Sequence, residues 1–482
     1  MNKGLSAWQL TMMALGTVFG GAFFLGSAVS VKTAGPAIII CYLLAGALIY
    51  AILFSLSEMT VAEAAPGSFR VFAQRAYGPG VGFVVGWVYW TGLVLAMSSE
   101  ATAAAILIKT WLPGISIALA GSAIIIAVTL LNLLGADRLS KLESGLAVVK
   151  VLSIVGFILL GAALVGGFIN GVPPIGISVL TAEPWFPAGL GGIAGSMLIV
   201  VLTFAGFEII GLAAAEARDP ARTVPQAIRY TVAALVGLYV LAFLSLLLLI
   251  PTAALTDHAS PLVAALTRWG LTWAGAAMNV VLITAILSTM LAAMFGLGRM
   301  IRSLAADGHA PAWIKDESGI PRRGILFSGA GMLAGMTLGL VLPETVYLFL
   351  ISSGGFSLLF SYLVILATHY KFRKLNGCPP AGHCQLPGYP YTSWLAMVSC
   401  TAIIASMPLV PGQRTGLVAG VMLVLLYTGT YFIRSRFLHR PAAPSPTTPS
   451  ALPLWQPQFE TSEELQPGQQ EPEKKTADRC KR

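Results

Sequence analysis

Two stretches of this sequence set glycine inside long apolar runs: Gly16-Thr17-Val18-Phe19-Gly20-Gly21-Ala22, and Thr203-Phe204-Ala205-Gly206-Phe207-Glu208, which ends on an acid. Each glycine in a helix interior costs about 1 kcal/mol relative to alanine, so both stretches are candidate interruptions. A half-helix that begins after a break presents unpaired N–H groups and the positive end of its dipole, which suits a carboxylate. Unwound carbonyls accept hydrogen bonds from an ammonium group. A small zwitterion carries both groups, so the chemistry on offer is non-covalent capture of a dipolar solute. The same glycines also suit close helix packing, and from composition alone the two readings stand side by side.

Charges inside the apolar runs add to this. Lys150 stands among Val148, Val149, Val151 and Leu152. A cation in mid-membrane costs at least ~2.5–3.5 kcal/mol, so it points to function by default. Burial lowers a lysine's proton affinity, which suits proton exchange. The alternative is that Lys150 snorkels to the nearer surface. It follows Lys141 by nine residues, a rise of about 13 Å in a helix, which is deep for snorkelling. Glu208 has two readings: a hydrogen-bond acceptor that holds the second break, or a contact for substrate or proton. Glu58 and Glu100 are weaker candidates, the first as the marker of a helix end, the second facing a cavity or an outer helix end. Trp87, Tyr89 and Trp90 read as an interfacial aromatic belt.

The elements that must position these residues are membrane helices. Of 482 residues, 56% are hydrophobic and 10% charged, with mean hydropathy +0.80. Soluble domains carry about 25% charge. Lipid-embedded backbone must satisfy itself, which selects helices. A span takes about 20 apolar residues, and twelve runs qualify, at 8–31, 36–57, 81–108, 115–135, 144–167, 190–214, 230–251, 272–298, 326–342, 346–368, 392–410 and 415–435. With the N-terminus inside, 24 of the 29 Lys and Arg fall in inside segments and 4 outside, with Lys150 in a span. That bias sets an orientation with both termini cytoplasmic. No cleaved signal peptide is expected, because the first apolar run is too long and lacks a small-residue cleavage site. The net charge of +9 is spread over short loops and forms no nucleic-acid face. Residues 438–482 are rich in Pro, Thr, Gln and Glu and read as a disordered cytoplasmic tail. Cys378, His383 and Cys384 match no zinc spacing, and no metal or cofactor is expected. The sequence holds no His-Glu-x-x-His, nucleophile elbow or phosphate loop, so an enzyme is not expected.

Beyond the composition, the motifs resemble the amino acid–polyamine–organocation (APC) superfamily of permeases. Gly20-Gly21-Ala22-Phe23-Phe24 is similar to the family's glycine-rich first-helix motif, with Ala22 where its last glycine usually stands. Ala34-Gly35-Pro36, Glu58-Met59, Gly78-Pro79 and Gly86 to Trp90 are similar to the borders of helices two and three. Phe204 to Glu208, continuing through Glu216, Asp219-Pro220, Thr223 and Pro225, is the most specific match. Asn279 to Ser288, with Gly298-Arg299-Met300, Leu304-Ala305, Asp307-Gly308 and Pro311, resembles helix eight and its loop.

The resemblance implies an all-α polytopic membrane protein of twelve transmembrane helices. Its core would be a five-plus-five inverted repeat over about 8–167 and 190–368, with helices one and six broken and two extra helices at about 392–435, the transporter domain closing at 437. It implies roles as well. Gly20, Gly21 and Ala22 would offer backbone to a substrate carboxylate. Thr17 and Val18, with Phe204, Ala205, Gly206 and Phe207, would line the ammonium side and the side-chain pocket. Lys150 would bond a carbonyl near Gly16 and the hydroxyl of Ser288 or Thr289, in the place where sodium-coupled relatives hold a cation. The expected function is secondary active transport of a neutral or broadly apolar amino acid across the cell membrane, coupled to protons through Lys150 and Glu208. An amino acid exchanger is the alternative, followed by a transporter-like channel or nutrient receptor.

Overall fold

The computed structural model describes residues 5–63, 69–169, 173–214, 217–256, 259–316, 320–341, 346–379, 384–410 and 412–437. The regular structure of the described residues is helical, and the one β-type contact among them is an isolated bridge between Leu5 and Ala217. The tail read at 438–482 lies outside the described residues, as do His383, Glu216 and Pro66 to Ser68.

Helix α1 (Ala7–Val18) starts at Ser6, whose hydroxyl accepts the Gln9 N–H while the Gln9 side chain accepts the Ser6 N–H. That reciprocal cap satisfies two otherwise orphaned donors. The helix ends at Phe19, whose backbone is extended. The chain resumes as a π-helical turn, Ala22–Gly26, and continues as α2 (Ser27–Ala34). A 3-10 turn at Gly35–Ala37 joins α2 to α3 (Ile38–Ala62). Then follow α4 (Phe69–Tyr77), α5 (Pro79–Lys109), α6 (Ile117–Asn132), α7 (Ala136–Gly166) and α8 (Ser178–Thr181). The second interrupted helix is α9 (Gly189–Leu202), a stretch of turns over 203–208, and α10 (Ile209–Leu212). The chain ends with α11 (Pro220–Leu249), α12 (Pro261–Arg268), α13 (Thr272–Ala306), α14 (Arg322–Val341), α15 (Val346–Asn376), α16 (Tyr391–Ser406) and α17 (Gln413–Phe437).

Among the described residues, eight helices are long and apolar enough to cross a membrane, with two shorter apolar helices, Ile117–Asn132 and Gly189–Leu202. That is fewer than the twelve apolar runs, and the two breaks account for part of the difference. The run 8–31 is cut at its glycines, and the part after the cut joins α3 as one apolar stretch, Ala22–Ala62. The run 190–214 is cut at 203–208. Two segments read as loops are short helices. In α12, Leu262, Ala265 and Leu266 recur at helical spacing and bury one face behind Pro261 at the first turn. In α4, Phe69, Phe72 and Ala73 do the same.

The long helix α5 packs on both α13 and α15, while α1 is surrounded by α7, α10, α11 and α13. Leu5 and Arg218 pair through backbone, so the start of α1 and the start of α11 share one face of the molecule. The Ala37 N–H donates to the Trp185 carbonyl, which brings the start of α3 to the segment before α9 on the other face.

Candidate functional site

Both breaks border one cavity of about 700 Å³. It reaches from the breaks to Leu5 and Gln9, on the face that carries the N-terminus. Its wall includes Thr17, Val18, Gly20 and Ala22 from the first break, Ala205, Gly206 and Glu208 from the second, and Thr289 from α13. Gly21, Phe204, Phe207, Lys150 and Ser288 stand behind that wall.

The second break depends on Gly206. Its φ is +106°, a conformation other residues rarely adopt, and an added Cβ would meet the Thr17 carbonyl oxygen at 2.8 Å. The Gly206 N–H donates to the Glu208 carboxylate at 2.7 Å, and the Tyr362 hydroxyl donates to its other oxygen. Glu208 thus accepts from unwound backbone, one of the two readings of this residue, while also lining the cavity. The two breaks are tied together: the Thr17 hydroxyl donates to the Gly206 carbonyl at 3.0 Å.

Lys150, fully buried on α7, spans from the first break to α13. Its ammonium donates to the Gly16 carbonyl at 2.9 Å and to the Thr289 hydroxyl at 3.0 Å. That hydroxyl lies 3.0 Å from the Phe19 carbonyl and donates to it. The lysine therefore does not snorkel. One carbonyl at the end of α1 and one α13 hydroxyl accept from the ammonium, and that hydroxyl takes up the Phe19 carbonyl, so the pair replaces helical partners that the break removes. Ser288 is buried, and its hydroxyl has no hydrogen-bond partner among the described residues.

Glu100, ranked low from sequence, has the most consequential position. Its carboxylate accepts the N–H of Gly21 and, at 3.3 Å, that of Ala22. These are the backbone donors that the resemblance assigns to a substrate carboxylate. A side chain of α5 holds them here, and it lines the cavity at the same time. The Tyr347 hydroxyl reaches the Gly21 carbonyl at 3.4 Å. The signal available in the sequence was a lone acid inside an apolar run; nothing local said which helix it would meet.

Other candidates resolve differently. Phe204 packs edge-on to Tyr239, and Phe207 packs against Tyr362. The triplet read as an interfacial belt turns inward. Tyr89 lines the cavity, the Trp90 indole donates to Ser328, and the Trp87 indole donates to the His309 carbonyl. Burial pushes the His309 imidazole below its usual value, and Arg70 and Arg434 push it further. Glu58 is more than a helix-end marker. It accepts two bonds from Arg373, at 2.6 and 2.7 Å, and the Leu386 N–H at 3.0 Å. Among the described residues no group of His, Cys, Asp and Glu is arranged to hold a metal ion.

A family model described as "Amino acid permease" matches residues 9–440. The chain is 31% identical to a gamma-aminobutyric acid permease of Bacillus subtilis (strain 168), over 94% of this chain and 98% of the relative. It is also 31% identical to the gamma-aminobutyric acid permease of Escherichia coli (strain K12), over 91% and 95%. With a probable threonine/serine transporter of Bacillus subtilis it shares 27% identity, over 90% and 95%.

Proposed function

The chain belongs to the amino acid permease family, and from that premise we propose that it is a secondary active transporter that carries amino acids across the cytoplasmic membrane by proton-coupled symport. It is a multi-pass membrane protein. We read its twelve apolar runs as twelve spans, arranged as two inverted repeats of five with two further helices, both termini cytoplasmic. The cation bias of the loops supports that orientation. In it, the cavity opens to the cytoplasm.

The observation that carries the reading is the meeting of two interrupted helices at one cavity, with unwound backbone on both that buried side chains hold. Broken helices facing each other near mid-membrane suit a small solute with a carboxylate and an amine. Leu93, Met97, Leu202 and Leu358 give the wall an apolar character, which favours a neutral amino acid. The names of two relatives put γ-aminobutyrate into any substrate screen.

The proton part of the reading rests on buried charge. Lys150 and Glu208 are the groups assigned to coupling, with Thr289 as the hydroxyl partner of Lys150 and Ser288 beside it. Glu100 joins them. A substrate carboxylate that is to reach Gly21 and Ala22 has to displace the carboxylate already bonded there. Protonation of Glu100 removes its charge and weakens that hold, so proton uptake and substrate binding favour each other.

Purified protein in proteoliposomes tests the whole. Concentrative uptake of a neutral amino acid driven by an inward proton gradient, with no amino acid inside, is the expected result. A strict requirement for internal amino acid identifies an exchanger. If no amino acid shows saturable uptake or exchange, the reading fails.

A further inference from the structure

Behind both breaks lies a group of aromatic rings that the transport reading has not used. Tyr239, on α11 and fully buried, is its hub. Its ring centroid lies 5.3 Å from that of Phe19 and 4.8 Å from that of Phe23, on either side of the first break. It lies 4.9 Å from Phe204 in the second break and 5.0 Å from Tyr42 on α3. Its hydroxyl donates at 2.6 Å to the carbonyl of Thr203, the first residue after α9. The outer layer is Phe243, stacked on Tyr42 at 4.6 Å.

The location of these rings gives them a task. None of them lines the cavity. The start of α11 lies on the N-terminal face, beside Leu5, and α11 runs away from that face toward Leu249. Tyr239 and Phe243 fall in its far half. Tyr42 follows the start of α3 by one turn, and that start lies on the opposite face. The rings therefore stand between the cavity and the face away from the N-terminus.

Resting on the transport reading, we propose that this cluster is the barrier that closes the cavity to the opposite face, and that Tyr239 is the positioning residue that makes its opening depend on both broken segments. An opening on that side has to part Tyr239 from at least one of Phe19, Phe23, Phe204 and Tyr42. Each aromatic pair is worth about 0.5–1.5 kcal/mol beyond simple burial. Opening by movement of the second break also gives up the bond to the Thr203 carbonyl. A bond made only in the closed arrangement stabilises that arrangement by its own worth. The closed state is thus held by contacts on both breaks at once, and a rearrangement of either one loosens it.

The test uses the full chain with Val18→Cys, a position in the cavity wall, in sealed vesicles of known orientation. A membrane-impermeant thiol reagent is added from one face or the other, and the ratio of the two labelling rates is measured. Tyr239→Phe removes the hydroxyl and keeps the ring; labelling from the opposite face is expected to rise by about five- to ten-fold relative to the N-terminal face, the equivalent of one buried hydrogen bond. Tyr239→Leu removes the ring as well and is expected to raise it further. Labelling needs no transported substrate, so this result stands or falls separately from amino acid uptake. If Tyr239→Leu fails to fold, Tyr239→Phe, which lacks one oxygen atom, decides alone. An unchanged ratio in variants that melt at the wild-type temperature overturns the proposal.

Discussion

The carboxylate of Glu100 accepts the backbone N–H of Gly21, so a side chain of the protein occupies the anion seat at the head of the π-helical turn. A ligand with its own carboxylate meets an incumbent there. Glu100→Gln keeps the shape and removes the charge, which reduces a charge-assisted bond to a neutral one. The difference is roughly 1 kcal/mol, so KM for the transported amino acid should fall about five-fold, with a flatter dependence of KM on pH. Initial uptake rates across a pH series measure both. An unchanged or higher KM would show that Glu100 and the substrate do not compete.

Lys150 holds the end of α1 to α13 through the Gly16 carbonyl and the Thr289 hydroxyl. Lys150→Ala removes the charge and both bonds, each a charge-assisted contact worth about 1.5–3 kcal/mol. Accumulation driven by a proton gradient should disappear, while exchange of labelled for unlabelled substrate persists at a reduced rate. Retention of the full pH dependence in this variant would remove Lys150 from the coupling scheme.

Gly206 has room for no side chain, since a Cβ there would lie 2.8 Å from the Thr17 carbonyl oxygen at a φ of +106°. Gly206→Ala forces a strained backbone at a cost of order 1–3 kcal/mol. The expected outcome is a protein that inserts and melts a few degrees low yet transports at a few per cent of wild type or less, measured by uptake normalised to purified protein. Normal uptake would mean that the second break can take another shape.

The pair of Glu58 and Arg373 joins α3 to α15 and, through Leu386, to the segment before α16. Both side chains are buried, so removing Arg373 leaves Glu58 with only the His369 Nε2, at 3.2 Å, and the Leu386 N–H, at a cost of up to about 3–5 kcal/mol. Arg373→Met should lower the melting temperature strongly. Adding Glu58→Gln to it should recover part of the loss. Thermal melts in detergent of the two single variants and the double variant provide the cycle.

Some of this was legible before any coordinates. The breaks announced themselves because glycine is costly in a helix and both sites repeat that cost inside apolar runs. Lys150 was conspicuous for the same energetic reason, and its bonds to the Gly16 carbonyl and Thr289 lie where the family resemblance put them. The placement of Glu100 was not legible, because its meaning lies in Gly21, 79 residues away. Tyr239 carried no local signal either: a tyrosine in an apolar helix is ordinary until the ring neighbours on three other segments are known. The inward turn of Tyr89 and Trp90 is not legible either, since composition alone does not separate rings facing lipid headgroups from a ring lining the cavity or one bonded to Ser328. Helix length alone yields eight candidate spans among the described residues against twelve apolar runs, as a cut helix offers two short pieces and a tight turn at Gly35–Ala37 fuses two others.

The bond from the Thr17 hydroxyl, in the last turn of α1, to the Gly206 carbonyl stitches the edge of one break to the other. Neither break is then a separate sensor. A guest that leans on one tugs the other, and the pocket registers its cargo as a single hinge with two leaves.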